Sequence, residues 1–115
     1  MIEADLYNHV NSSVGALYQN RALSNATFPY TVQRLISKSD AGLGNTRARF
    51  QFDVFGQTYG QAKDTAVQVA AAILSFPLGF ATYRATEMDL YDPDVDIYRV
   101  MIDAIVYYVE RSEFG

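Results

Sequence analysis

The chain has 115 residues, half of them hydrophobic, with nine Tyr, seven Phe and no Trp, a net charge of −4 and a pI near 4.7. That length and apolar content predict one domain, 1–115, with one core. The acidic balance excludes tight, charge-driven wrapping of nucleic acid, and the absence of Cys excludes a disulfide framework and thiolate chemistry.

Met1 to Val10 carries Glu3 and Asp5 and no Lys or Arg, unlike a secretory signal. Ile2, Leu6, Val10, Val14 and Leu17 recur at nearly every fourth position, so residues 2–19 read as a helix. Asn11, Ser12, Ser13 and Gly15 weaken it. Arg21 to Phe28 is a polar connector, in which Asn25-Ala-Thr27 is a chance glycosylation acceptor.

Pro29 to Lys38 reads as a strand, with Tyr30, Val32 and Ile36 on one face and Thr31, Gln33 and Leu35 on the other. Lys38, Ser39, Asp40, Ala41, Gly42, Leu43, Gly44 and Asn45 then form a run of turn formers, expected to be a flexible loop. Its Gly42-x-Gly44 precedes a strand, not a helix, so it lacks the helix N-terminus that would hold a phosphate.

Thr46 to Phe55 alternates cleanly. Ala48, Phe50, Phe52 and Val54 point to a core, and Arg47, Arg49, Gln51 and Asp53 point away. Gly56 ends the strand, and Thr58-x-x-Gln61 opens a helix as a capping box. Ala62, Ala66, Val69, Ala70 and Ile73 form its apolar stripe, small enough to lie close on a sheet. Phe76-Pro-Leu-Gly79 stops it. Thr65 to Tyr83 is uncharged and nearly long enough to span a bilayer, but Thr65, Gln68, Ser75, Pro77 and Gly79 argue against a membrane segment.

Ala81 to Tyr91 reads as a third strand, Asp92-Pro93-Asp94 as a turn, and Ile97 to Val109 as the fourth strand. In the last strand the even positions are all apolar or aromatic, and the odd ones mix Arg99 and Asp103 with Met101, Ile105 and Tyr107. Glu110 to Gly115 is expected to fray. The predicted class is α+β: a four-stranded, largely antiparallel sheet with two helices on one face, in the order α-β-β-α-β-β.

No chemical signature stands out. Glu87, Asp89, Asp92, Asp94 and Asp96 form an acidic cluster, in which Asp92-x-Asp94-x-Asp96, with Asp103 eleven residues after Asp92, mimics a calcium loop. Ile97 occupies the position that needs Gly, however, and Asp103 falls in a strand. His9 alone, without Cys, is no zinc site and reads as a helix-surface residue. No serine has a nucleophile-elbow context. No catalytic residue, metal or cofactor is therefore expected. Arg47 and Arg49 suit a solvated face, a protein interface or a wall facing DNA. The doubly apolar residues 100–109 suit burial against a neighbouring subunit.

Three stretches carry a resemblance: Arg49-Phe-Gln-Phe-Asp-Val-Phe-Gly-Gln-Thr-Tyr59, the alanine-rich helix after it, and Asp89-Leu-Tyr-Asp-Pro-Asp-Val-Asp-Ile-Tyr-Arg-Val-Met-Ile-Asp103. With Ile2-Glu-Ala-Asp-Leu6 and Phe28-Pro-Tyr-Thr-Val32, the chain resembles the tail-completion proteins of long-tailed bacteriophages over nearly its whole length. Phe55 stands where the family often has Trp. The resemblance implies a virion protein of the tail or neck, not an enzyme: a tail terminator, with a head-completion or stopper protein of the neck, or a small α+β ligand-binding module, as the alternatives. A terminator is a homo-oligomeric ring, commonly hexameric, that caps the tail tube, stops its polymerisation and joins it to a head-side connector or stopper protein. DNA would pass through the lumen without specific binding, and no membrane is involved. Lys38–Asn45, Arg47, Arg49, Asp92, Asp94 and Asp96 are the candidate interface residues.

Overall fold

The computed structural model describes residues 2–21, 27–42, 44–92 and 97–109, with the backbone alone for 84–92. Helix α1 (Ile2–Val14) leads to strand β1 (Leu17–Gln19) and to the long hairpin β2 (Tyr30–Gly42) and β3 (Asn45–Gly56). Helix α2 (Tyr59–Leu74) follows, then β4 (Phe80–Asp92) and β5 (Ile97–Val109). The sheet has five strands in the order β1-β2-β3-β5-β4, antiparallel except where β1 meets β2. The expected α+β class with two helices holds. The expected four strands become five.

The extra strand comes from residues assigned above to the first helix. That helix stops at Val14 because Gly15 (φ 72°) and Ala16 (φ 47°) enter the left-handed region. The Gly15 amide donates to the Asn11 carbonyl at 2.9 Å, and the Leu17 amide to Asn11 Oδ1 at 3.2 Å. Leu17 is buried as its spacing predicted, but on a strand.

The residues expected to form a loop also pair. Lys38, Ser39, Asp40 and Gly42 lie opposite Ala48, Arg47, Thr46 and Asn45, so 38–42 and 45 belong to a hairpin arm. Turn chemistry is needed only at the tip, where Gly42 (φ 85°) and Gly44 (φ 80°) turn the chain and Asp40 Oδ1 accepts from the Gly42 amide at 2.8 Å. A register shift between Leu35 and Ser37 leaves Ile36 bulged and half-exposed, and it moves Lys38 to the helix side. There Lys38 Nζ meets Glu3 Oε1 at 2.8 Å.

The core lies between the helices and one face of the sheet. Phe50, Phe52 and Val54 of β3 and Ile102, Ala104 and Val106 of β5 meet Leu6 and Val10 of α1 and Ala62, Val69 and Ile73 of α2. The Gln61 amide donates to Thr58 Oγ1 at 3.1 Å, and Gln61 Oε1 accepts from the Gln57 amide at 2.8 Å. The capping box thus closes one residue earlier than its usual form. His9, expected on the helix surface, instead joins the helices. Its Nε2 lies 2.9 Å from the Ala72 carbonyl and 3.0 Å from Ser75 Oγ, with the ring edge-on to Phe76.

Candidate assembly surface

Strand alternation sends the other set of side chains to the opposite face, which no described element covers. The register aligns them in rows. Val32, Asp53 and Met101 lie side by side, as do Arg34, Gln51 and Asp103, and Arg47, Tyr107 and Phe80.

Asp53 is fully buried on this open face. Arg99 Nη2 approaches Asp53 Oδ1 at 3.0 Å, Gln51 Nε2 donates to both carboxylate oxygens at 3.0 and 3.3 Å, and Arg34 stands 3.9 Å away. A carboxylate taken out of water needs such partners. Aromatic rings wall in this end of the face. Phe55 stacks on Tyr30 at 4.9 Å, Tyr30 meets Tyr18 and Phe28, and the Arg99 guanidinium lies 5.7 Å from the Phe55 ring. Burial, and secondarily the Tyr18 hydroxyl, push the Tyr30 hydroxyl above the ordinary tyrosine value, so it stays protonated at neutral pH.

Further along, Arg49 Nη2 meets Asp103 Oδ1 at 3.4 Å. Among the described side chains, Arg34, Arg47, Arg49 and Arg99 on this face oppose only Asp53 and Asp103, although the whole chain carries −4. Past the arginines the face turns apolar: Phe80 is 68% exposed, Tyr107 37% and Val109 67%.

The structure gathers some of the expected interface residues and separates others. Arg47 and Arg49 share the open face with Asp103 and Tyr107. Ser39 is paired with Arg47 at the base of the arm, and Asp40, Ala41, Gly42, Gly44 and Asn45 lie at or near its tip. Asp92 is the last residue of β4, beside Ile97 at the far end of β5 from the Val109–Asn45 pair. At about 3.4 Å per residue, twelve steps of strand put roughly 40 Å between the two groups. Leu43, Asp94, Asp96 and the tail 110–115 lie outside the described residues, as do the side chains of Glu87, Asp89 and Asp92.

Sequence reasoning placed Asp53 on the polar face but missed its burial, which needs Arg99 from a strand forty-six positions later. It also passed over Phe80, while the doubly apolar residues 100–109, Val109 among them, already suggest an interface. The mixed odd positions of the last strand were the available signal.

A small cavity of about 220 Å³ opens between α1, β1 and β2, lined by Glu3, Gln19, Asn20, Gln33 and Leu35. It is smaller than the pockets that bury organic ligands. Among the described residues no cluster of His, Asp or Glu is arranged to hold a metal ion, and no helix is long and apolar enough to cross a membrane.

Fold and face together define a small α+β protein with both helices on one sheet face and no described element over the other. The family model described as tail completion protein gp17 matches residues 7–108, and the chain belongs to that family. It is accordingly a structural protein of a phage tail. The fold is similar to that of a chain in the virion of a native gene transfer agent particle, with a TM-score of 0.62 and 16% identity over 92% of each chain. No curated protein matches the sequence.

Proposed function

We infer that this chain is a tail terminator, the repeating subunit of a closed, hexameric ring at the head-proximal end of the tail tube. The ring stops tube polymerisation and offers its other side to a head-side connector or stopper. The observation that carries this reading is the apolar, exposed end of the sheet face that no described element covers. A subunit that leaves Phe80, Tyr107 and Val109 in water beside unpaired charge is built to be covered. Ring closure requires two different surfaces per subunit, repeated head to tail.

The open face is assigned to a neighbouring subunit rather than to the lumen. Among the described side chains, four arginines against two aspartates would hold passing phosphates, whereas a terminator must let DNA slide. The β2–β3 hairpin tip reaches the adjacent subunit or the tube. The work is binding, and no catalytic step is assigned.

Native mass spectrometry of the purified chain, alone and with its cognate tail tubes, tests the reading. A hexamer, or a ring found only on tube ends, is expected. A chain that stays monomeric and ignores tubes but binds head-side proteins would overturn it in favour of a head-completion or stopper role.

A further inference from the structure

Helix α2 carries a second apolar stripe that its own core does not use. Its buried face is Ala62, Ala66, Val69 and Ile73. On the opposite side Val67 (68% exposed), Ala71 and Leu74 (56% exposed) follow one another at spacings of four and three. Those spacings put them on one exposed arc of the helix. Asp64 heads the arc, is exposed, and has no ion-pair or hydrogen-bond partner among the described residues.

The apolar end of the uncovered sheet face has the complementary make-up. Arg47, Tyr107 and Phe80 form one row across β3, β5 and β4, with Val109 two residues beyond Tyr107. Arg47 is exposed and, like Asp64, has no partner among the described residues. The two surfaces match in size: Asp64 to Leu74 spans about 15 Å of helix. The row of three strands spans roughly 10 Å, and Val109 adds about 7 Å along the strand.

We propose that the α2 stripe of one copy packs on the Phe80–Tyr107–Val109 patch of a second copy, with Asp64 of the first meeting Arg47 of the second. This rests on the ring reading and names its subunit contact. The charges select the arrangement. Patch against patch would bury two copies of Arg47, and helix against helix two copies of Asp64, in one interface with no opposite charge supplied by the contact. Stripe against patch pairs opposite charges. Because the stripe and the patch belong to opposite layers of the subunit, one copy engages a neighbour on each side, as a closing head-to-tail ring requires.

The experiment compares the wild-type chain with Asp64→Lys, Arg47→Glu and the double variant by native mass spectrometry across a concentration series. All four are checked for folding by circular dichroism. Each single variant is expected to need at least tenfold more protein to assemble, and the double variant to return to near the wild-type midpoint. The chain has no cysteine, so a Val67→Cys/Tyr107→Cys variant gives an independent readout. Copper-catalysed oxidation should join its subunits into a ladder of covalent multimers. A wild-type ring whose single variants assemble normally, or whose cysteines do not crosslink, overturns the contact and leaves the ring standing. A wild-type chain that is monomeric with and without tubes overturns both.

Discussion

At the scale of single residues, Asp53 is the buried charge among the described side chains, met by Arg99, Gln51 and Arg34. Its carboxylate is out of water and depends on Arg99 and Gln51 for compensation. Asp53→Ala removes the anion and leaves Arg99, whose Nε already has no hydrogen-bond acceptor, facing a void. Breaking a buried pair from one side typically costs 3–5 kcal/mol, and because Arg99 keeps a third of its side chain in solvent we expect about 3 kcal/mol. Urea unfolding of the variant measures this. A loss below about 1 kcal/mol would mean that the site is solvated and that the pair behaves like a surface salt bridge.

At the scale of elements, packing of α2 on the sheet sets the tightest constraint. The turn after α2 brings Gly79 against β5 so closely that a Cβ there would lie 2.5 Å from the Tyr107 carbonyl oxygen and 3.2 Å from Tyr108 Cβ. The first of these is backbone and cannot rotate away. Gly79→Ala should therefore destabilise by about 1–3 kcal/mol. Gly60, in the first turn of α2, has nothing within 4 Å of such a Cβ, and Gly60→Ala should stabilise by about 0.4–1 kcal/mol. Melting temperatures of the two variants moving in the same direction would refute this account of the helix–strand contact. The same packing explains the small side chains of the stripe: Ala62 lies so near β3 that a Cβ on Gly56 would fall 2.8 Å from its amide nitrogen.

At the scale of the whole molecule, the β2–β3 arm is the feature that the core does not require. Beyond Ser37 its side chains are exposed on β2, and its tip lies far from the aromatic end of the sheet. Replacing Ala41–Asn45 with Asn-Gly would join Asp40 to Thr46, an existing pair, through a two-residue turn that suits a hairpin. The shortened chain should keep its circular dichroism spectrum and melting temperature while losing capping of tail tubes at least tenfold. Full capping by the shortened chain would remove the arm from the binding surface.

The local patterns of this protein were legible in its sequence because their physics is local. Alternation assigned Phe50, Phe52, Val54 and their opposites to the two faces of β3, and Thr58 and Gln61 marked the start of α2 to within a residue. Expectation and structure part where distant segments decide the outcome. Leu17 fits a helical rhythm, yet β2 offers it a parallel partner once Gly15 and Ala16 turn the chain. Residues 38–42 look like a loop until β3 supplies their hydrogen bonds. The sequence by itself determined which side chains seek the core, since periodicity and side-chain polarity suffice for that. The order of the strands, the burial of Asp53 and the meeting of Phe80 with Tyr107 on the open face were decided by the tertiary structure alone. Each depends on which residue of β5 stands beside which residue of β3 and β4, and no local pattern encodes that register.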